Sequence, residues 1–333
     1  MRQRYIEVQG TDYERGFQIG RLSKYEILTN YTNQVRYFKE TWKYDFGIWK
    51  EGAKQYLPII EEFAPRTLNE MRGMAEGAEV DLETILAITT FYELIDDYMM
   101  VERCTAFAVT GQATKHGGTF CGQTNDEGID EWMGGDLDKV ICHRAADNTQ
   151  TLIYSHPGVP AMMGMNSSGL GVLWTYIDNG ERQLGLPSTI INRELLYHTS
   201  LNEAVKYLQT IPHGIPNNYV LAHNKEGICS VECFPTSTHV VSSEISLCHS
   251  NHILTKEKSL YDVFNGKEQT ASTFNRLKVM QELLKKSEGK IDVEIAKSFL
   301  ADHSGEPLSI CAHPRINDLM SKTLAAIVFD LEK

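Results

Sequence analysis

The stretch Glu102-Arg103-Cys104-Thr105-Ala106-Phe107-Ala108-Val109 marks a change of pattern in the chain. Before it, apolar residues recur at helical spacing; after it, they alternate with polar residues between Gly-bearing turns, which indicates strands. A cysteine at this point, followed by a β run, is a candidate nucleophile at the start of a strand. A second stretch, Cys121-Gly122-Gln123-Thr124-Asn125-Asp126, would return antiparallel to the first and bring the acidic Asp126 beside Cys104.

The first hundred residues predict mainly helices. We expect a strand at 5–9, a helix that begins near residue 12 and extends at least to Ile27 on its apolar face, a helical stretch at 52–78 broken by prolines, and a helix at 81–98. The first helix contains Gly16 and Gly20, each of which costs about 1 kcal/mol relative to alanine in a helix. Close packing against another element would explain both glycines; a phosphate-binding loop is the weaker alternative, because the spacing matches no phosphate motif.

Beyond residue 104 the pattern predicts antiparallel strands and separate blocks of helix. The strand candidates are 105–110, 119–124, 138–143, 151–155, 162–165, 169–177, 218–222, 227–234, 239–242, 247–252 and 323–330. The helix candidates are 190–198, 201–208, 272–286 and 293–301. In the helix at 272–286 we expect Phe274, Leu277 and Met280 on one apolar face. Because the helices come in blocks and do not alternate regularly with the strands, the sequence predicts an α+β fold.

The composition is that of a globular and acidic protein. The 333 residues carry a formal net charge of −12, which makes nucleic acid and anionic membrane surfaces unfavourable partners. The N-terminus lacks the apolar segment of a signal peptide, and no apolar run approaches the roughly 20 residues of a membrane span. Seven irregularly spaced cysteines argue against a disulfide framework. We therefore predict a cytoplasmic protein with reduced thiols, whose oligomeric state, including a homo-oligomer, stays open.

Several motifs occur in the order typical of one enzyme family. They are Cys104-Thr105-Ala106-Phe107-Ala108-Val109, Gly122-Gln123 with Asp126, Gly164-Met165-Asn166-Ser167-Ser168-Gly169-Leu170, His249-Ser250-Asn251-His252, Ser272-Thr273-Phe274-Asn275-Arg276-Leu277 and Ser309-Ile310-Cys311-Ala312-His313-Pro314. On these motifs the chain resembles the isopenicillin-N acyltransferase family, a cysteine branch of the N-terminal-nucleophile (Ntn) hydrolases. The resemblance implies an αββα four-layer sandwich with antiparallel sheets, and self-cleavage before the cysteine. Residues 1–103 would then be a mainly helical N-terminal segment and residues 104–333 the catalytic segment, together forming one structural domain.

The resemblance, read with the chemistry of acyl transfer, assigns four candidate catalytic residues. Cys104 would be the nucleophile, and as the first residue of a mature chain its own amine, with a reference pKa of about 8, would act as the base. Asp126 would orient that amine, although aspartate is also common at strand ends. Asn251 would donate its side-chain amide to the oxyanion, an interaction worth about 3 kcal/mol. Asn166 is a second candidate donor, and turn chemistry is the alternative explanation for both asparagines.

The resulting hypothesis is an enzyme that hydrolyses a linear amide, or transfers its acyl group, through a thioester on Cys104. Its partner would be a small acylated molecule; no metal or prosthetic group is implied, and a coenzyme A thioester is a candidate acyl donor that no motif demonstrates. The alternative is a catalytically silent relative that binds small acylated molecules without cutting itself, in which Cys104 is a small buried hydrophobe. Arg103 supports this alternative, because the family typically has glycine there, which tolerates a strained backbone.

Three other features have simpler explanations. His249 and His252 form an HxxH pattern without further zinc ligands, although an unprocessed hydrolase with His249 as a distant base is a third hypothesis. Cys229 and Cys233 are expected to lie on the same side of a strand. Arg315 could meet a substrate carboxylate, but solvent exposure is the simpler interpretation.

Overall fold

The computed structural model describes residues 4–37, 39–40, 43, 46–94, 103–127, 136–259, 268–313 and 322–333. The helices are α1 Asp12–Leu22, α2 Lys24–Tyr37, α3 Phe46–Lys54, α4 Leu57–Phe63, α5 Pro65–Ala78, α6 Leu82–Thr89, α7 Phe91–Leu94, α8 Ser188–Leu195, α9 Leu201–Thr210, α10 Lys256–Ser259, α11 Glu268–Lys286 and α12 Val293–Leu300. The strands are β1 Tyr5–Gly10, β2 Arg103–Gly111, β3 Gly117–Glu127, β4 Lys139–Ala145, β5 Gln150–Ser155, β6 Met163–Asn166, β7 Leu170–Tyr176, β8 Asn217–His223, β9 Gly227–Phe234, β10 Ser237–Ser243, β11 Ser246–His249 and β12 Lys322–Asp330.

The strands form two sheets, which makes the fold a mixed α+β architecture. The larger sheet has the strand order β1-β4-β5-β6-β7-β8-β9-β10, and the smaller has the order β11-β2-β3-β12. Paired strands are antiparallel, as predicted, except that β1 lies parallel to β4. The larger sheet therefore joins a strand from residues 1–103 to strands from the rest of the chain.

The hairpin formed by β2 and β3 lies between the larger sheet and two helices. Its strands contact β7 and β8, while α11 packs on β2 and α12 on β3. Ala106 and Ala108 belong to the core shared with the larger sheet, whereas Phe107 and Val109 pack with Phe299 of α12 in a second core. Because side chains alternate along a strand, Cys104, two residues before Ala106, belongs to the face toward the larger sheet.

Glycines allow α1 and α5 to touch backbone to backbone. A Cβ atom added at Gly16 would lie 1.9 Å from the carbonyl oxygen of Glu70 on α5. Gly20 on α1, and Gly73 and Gly77 on α5, are similarly close to the backbone of the partner helix. The prediction that close packing explains the helical glycines is confirmed.

Some local predictions differ from the structure. The first predicted helix ends at Leu22, and a separate helix starts at Lys24 because the backbone of Ser23 leaves the helical conformation. The helix predicted at 81–98 is divided into α6 and α7, and residues 95–98 lie outside the described residues. Phe274 is 48% exposed, so its assignment to the apolar face of α11 is wrong; Arg276 takes an inward position instead.

The cysteines and the helices bear on three further expectations. All seven cysteines lie within the described residues and none forms a disulfide, as predicted. Cys229 and Cys233 are both buried on β9. Within the described ranges, no helix combines the length and apolar character needed to cross a bilayer.

Candidate active site

The antiparallel register of β2 and β3 sets the surroundings of Cys104. Cys104 lies opposite Asn125, and Arg103 lies opposite Asp126. Residues opposite each other in such a pair project to the same face. The side chains of Cys104 and Asn125 therefore share the face toward the larger sheet, and the Asp126 carboxylate lies on the other face. The hairpin thus returns Asp126 across from the residue that precedes Cys104.

Asn251 reaches Cys104 from the neighbouring strand. β11 pairs with β2 so that His249 lies opposite Ala106, and the same register two residues further brings Asn251 level with Cys104. The Oδ1 atom of Asn251 accepts a hydrogen bond of 2.8 Å from the backbone N–H of Cys104. Its Nδ2 donates to the carbonyl of Tyr176 at 3.0 Å. Since Nδ2 carries two hydrogens, it has the capacity for one more donation.

Arg276 of α11 ties these two residues together. Its guanidinium donates to the carbonyl oxygen of Cys104 and, at 2.8 Å, to Oδ1 of Asn251. A further bond of 2.8 Å reaches the hydroxyl of Thr105. Burial lowers the pKa of Arg276, and the negative charge of Asp126 opposes that shift. Arg276 therefore positions both the carbonyl of Cys104 and the side chain of Asn251.

Sequence reasoning missed Arg276, although its motif was noted. The signal that could have found it is its spacing in α11, since Arg276 precedes the buried Met280 by four residues and the buried Leu284 by eight. A charged residue in an otherwise apolar stripe needs buried polar partners. That pattern would have singled out Arg276 as a residue facing the site.

Asp126 is fully buried on the face of the hairpin opposite to the thiol. Its carboxylate accepts hydrogen bonds from the hydroxyls of Thr323 at 2.6 Å and Thr124 at 3.3 Å. The hydroxyl of Thr124 in turn accepts the backbone N–H of Thr105 at 3.1 Å. These bonds fix the carboxylate across the strand from Arg103.

A buried carboxylate holds the segment that carries Asn251. Glu232 of β9 accepts hydrogen bonds from His249 at 2.9 Å and from the backbone N–H groups of Leu254 and Thr255 at 2.6 and 2.9 Å. Burial alone would raise the pKa of Glu232, but its donors, His249 foremost, lower it to about 2. The chain on both sides of Asn251 is therefore anchored to one ionised side chain.

On the thiol face, a series of buried polar side chains leads away from Asn125. Asn125 donates to Glu127 at 3.1 Å, and Glu127 and Asp138 lie 2.8 and 2.6 Å from the two ring nitrogens of His156. Burial alone would lower the pKa of His156, but the two carboxylates together raise it well above its usual value of 6.5. A cationic His156 thus holds Glu127, which in turn fixes the Asn125 side chain opposite Cys104.

Asn166 organises the turn between β6 and β7. Its Nδ2 donates to the carbonyls of Leu196 and His198 at 3.1 and 2.7 Å. Its Oδ1 accepts the N–H groups of Ser168 and Leu170 at 3.0 and 3.1 Å. Because both amide hydrogens have protein acceptors, donation to an oxyanion would require one of these bonds to break. The role of Asn166 as a second donor stays a prediction.

The two histidines of the HxxH pattern support the Asn251 segment from either side. His249 is bonded to Glu232 and, at 2.7 Å, to the carbonyl of Ser250. His252 lies 3.0 Å from the hydroxyl of Thr273, which also accepts the backbone N–H of Asn251 at 2.8 Å. Arg315, the predicted contact for a substrate carboxylate, lies outside the described residues.

The match to a known family covers the candidate site. The sequence profile of the acyl-coenzyme A:6-aminopenicillanic acid acyl-transferase family matches residues 98–333, which is well over half of the chain. The matched region includes Cys104, Asp126, Asn166 and Asn251. The chain therefore belongs to this family of acyltransferases, and the resemblance predicted from the motifs is confirmed at the level of the family.

Individual proteins with similar sequences or structures have low sequence identity to this chain. The acyl-coenzyme A:6-aminopenicillanic-acid-acyltransferase 40 kDa form of Emericella nidulans is 24% identical over 332 residues, which cover 98% of this chain and 89% of the relative. Among solved structures, penicillin V acylase from Agrobacterium tumefaciens aligns with a TM-score of 0.46 and 15% identity over 69% of this chain and 80% of that chain. A single-residue variant of conjugated bile acid hydrolase from Clostridium perfringens aligns with a TM-score of 0.42 and 13% identity over 69% and 87% of the two chains.

Proposed function

We propose that this protein is an amidohydrolase or acyltransferase that acts on a linear amide or acyl group through a thioester on Cys104. One observation carries the proposal: both backbone groups of Cys104 have defined partners, since its N–H donates to Asn251 and its carbonyl accepts from Arg276. Such bonds fix the backbone that carries the thiol, and acyl transfer requires a nucleophile on a well-positioned backbone. Membership of an acyltransferase family supports the reaction class.

The proposed architecture is an αββα four-layer sandwich in which residues 1–103 and 104–333 form one structural domain. The packing of α8 and α9 on the larger sheet, and of α11 and α12 on the smaller sheet, supports this arrangement. The contacts of β2 and β3 with β7 and β8 join the two sheets. The parallel pair of β1 and β4 supports a shared domain, because it joins the two segments within one sheet.

Maturation would begin with attack of the Cys104 sulfur on the carbonyl carbon of Arg103. A carbon–sulfur bond forms, the carbon–nitrogen bond between Arg103 and Cys104 breaks, and the departing nitrogen takes up the thiol proton as the new α-amine. Water then hydrolyses the thioester, which releases the Arg103 carboxylate and restores the thiol. Asn251 Oδ1 accepts from this nitrogen in the intact chain and can continue to hold it as an amine.

In the mature enzyme, the α-amine of Cys104 would take the thiol proton and pass it to the leaving group, as its reference pKa of about 8 allows. Asp126 would orient that amine from the opposite strand, where Thr124 and Thr323 hold the carboxylate. The second hydrogen of Asn251 Nδ2 would donate to the oxyanion of the tetrahedral intermediate. Asn166 is the second proposed donor.

The proposed substrate is a small acylated molecule. If water accepts the acyl group from the thioester, the reaction is hydrolysis; if a second amine or a thiol accepts it, the reaction is transfer. The name of the Emericella nidulans relative makes acyl-coenzyme A and 6-aminopenicillanic acid the first compounds to test. The proposed reaction itself uses no metal or prosthetic group. A cytoplasmic location, and the expectation of no nucleic-acid or membrane partner, rest on the amino-acid sequence alone.

The first test is the intact mass of tag-free protein, with Cys104→Ala as the matched control. We expect two fragments that separate after Arg103 in the wild type and one uncut chain in the variant. Self-cleavage should be faster in Arg103→Gly than in the wild type, because glycine at position 103 tolerates the strained backbone conformation that helps the acyl shift. Turnover is then measured on acylated amines, acylated amino acids and β-lactams, with and without acyl-coenzyme A.

Two outcomes would decide against the proposal. Retained turnover in Cys104→Ala would eliminate this cysteine as the nucleophile. An uncut wild-type chain that converts none of the compounds would favour the silent relative that binds acylated molecules. Cleavage without turnover would support maturation and direct the search to other acyl groups.

A further inference from the structure

The stretch 309–313, the described part of the last motif, has no part in the proposed reaction, yet its side chains are arranged in a definite way. Ile310 and Ala312 are buried. Cys311 and His313 alternate with them along the chain and are more accessible, Cys311 half-buried and His313 exposed. The motif therefore presents a thiol and an imidazole on the outer side of a short segment whose inner side is anchored in the core.

A backbone hydrogen bond brings a third side chain to this pair. The N–H of Cys311 donates to the carbonyl of Asp302 at 3.0 Å, so that His303 lies beside the pair. The imidazole rings of His303 and His313 are stacked, with 4.9 Å between their centroids and 5° between their planes. Their Nε2 atoms are 2.7 Å apart, and the Sγ of Cys311 lies 3.9 Å from Nε2 of His313.

We infer that His303, Cys311 and His313 bind a Zn²⁺ ion. Each contributes one ligand atom, and the three atoms all lie within 4.8 Å of one another. Around a tetrahedral zinc ion, bonds of about 2.0 to 2.3 Å place neighbouring ligand atoms roughly 3.3 to 3.6 Å apart, so shifts of about 1 Å complete the three bonds. Two imidazoles and a thiolate suit zinc and exclude magnesium and calcium, which take oxygen ligands.

Hydrogen bonding alone does not explain why the three groups converge. Both histidines are exposed, where water would satisfy each ring separately, and two facing ring nitrogens share a single hydrogen bond. Zinc binding makes use of all three groups at once. The thiol of Cys311 releases its proton to solvent as the sulfur–zinc bond forms, and a water molecule takes the fourth position.

The position of the site links it to Asp126. Ala312 lies between two of the ligands; its N–H donates to the hydroxyl of Thr323 at 2.9 Å, and its carbonyl accepts the N–H of Thr323 at 3.0 Å. That hydroxyl donates to Asp126 at 2.6 Å. A bound ion would therefore clamp the segment that supports Thr323, and it should stabilise the folded chain.

The test measures zinc binding directly, on tag-free metal-stripped protein that carries Cys104→Ala to exclude the nucleophile. Zn²⁺ is titrated against a chromophoric chelator, and Co²⁺ is used as a spectroscopic probe of thiolate ligation. We expect one equivalent of Zn²⁺, a thiolate-to-cobalt charge-transfer band, and a higher unfolding temperature with zinc. Because this background lacks the nucleophile, the result is independent of the proposed acyl transfer.

Ligand and control variants decide the assignment. His303→Ala and Cys311→Ser should weaken zinc binding by more than about 100-fold. This exceeds the loss of metal affinity that is usual when a residue that only supports a ligand is replaced. Cys311→Ser should also abolish the charge-transfer band. His116→Ala, at an exposed histidine in the β2–β3 turn, and Cys248→Ser, at another half-buried thiol, should bind as the parent does. Equal zinc affinity in the parent and both ligand variants, or no stoichiometric binding in the parent, would overturn the inference.

Discussion

The guanidinium of Arg276 and the side-chain oxygen of Asn251 lie 2.8 Å apart. The same oxygen accepts the backbone N–H of Cys104, so both of its lone pairs are engaged. These two hydrogen bonds fix the plane of the amide and the direction of Nδ2. The direction in which Asn251 Nδ2, the proposed oxyanion donor, points therefore depends on Arg276, a residue of a different element, α11.

Replacing Arg276 with lysine should reduce kcat by about 10 to 100-fold. Lysine keeps the charge but cannot form the fork that reaches Cys104 and Asn251 together. Steady-state kinetics with thermal unfolding separate the effect on turnover from an effect on stability. Arg72→Lys, in a surface ion pair with Glu61, is the control and should change neither quantity. Wild-type kcat in Arg276→Lys would show that the fork is dispensable.

The substitution Asn251→Asp should lower kcat by about 10²- to 10³-fold while the chain stays folded. Aspartate keeps an oxygen for the Cys104 N–H and for Arg276, but it removes the Nδ2 group that donates to the Tyr176 carbonyl and is proposed to donate to the oxyanion. The measurement is kcat for substrate turnover beside the rate of self-cleavage. If turnover stayed within twofold of the wild type, Asn251 would be a positioning residue only.

The stability of the fold should fall in acid in a way that depends on Glu232. The pKa of this buried carboxyl is about 2 in the folded chain against a usual value of 4.5. Its contribution, about 3 kcal/mol, is present above pH 4.5 and is lost as the pH falls toward 2, because the unfolded chain takes up the proton first. Chemical unfolding from pH 7 to 2 should show a shallower decline for Glu232→Gln than for the wild type.

The exposed Glu61 supplies the control for that experiment. Glu61→Gln should keep the wild-type dependence of unfolding free energy on pH, because a surface ion pair contributes little. Parallel curves for Glu232→Gln and the wild type would show that His249 and the backbone donors do not hold Glu232 ionised.

Alanine at Gly16 should destabilise the chain by about 1 to 3 kcal/mol. The new Cβ would meet the Glu70 carbonyl at 1.9 Å, so α1 and α5 would have to separate. The matched change is Gly52→Ala in α3, where the one described neighbour that the Cβ would meet is Leu94, at 3.4 Å. There the better helix propensity should stabilise by up to about 1 kcal/mol. Equal unfolding free energies for the two variants would contradict the packing argument.

Local pattern was sufficient for most of the strands and several of the helices, because burial and the positions of turn and proline residues act locally. The strand expected at 227–234 is β9, Gly227–Phe234, where a period of two indicates a sheet. The prolines correctly predicted that the helical stretch at 52–78 is interrupted, since a new helix, α5, begins at Pro65. The motif order also brought Asn251 into consideration together with Cys104, although 147 residues separate them.

The relation of Asp126 to the thiol shows what local pattern misses. Near the turn, Gly111 lies opposite Gly117, and that register alone would set Cys104 opposite Thr124, with Asp126 on the thiol face. An irregularity between Val109 and Gly111 shifts the pairing by one residue. A shift of one residue moves every side chain to the other face. The composition of the hairpin does not reveal such a shift, so the face of Asp126 could not be predicted.

The parallel pairing of β1 with β4 has a consequence for a chain cut before Cys104. Register contacts run from Tyr5 opposite Val140 to Gly10 opposite Ala145, so the leading fragment would remain an integral edge of the larger sheet. Such a fragment would persist as a subunit of an interlocked heterodimer and would not diffuse away as a discarded prosegment. Two bands on a denaturing gel should then coincide with a single native particle, and their separation should require loss of the sheet itself.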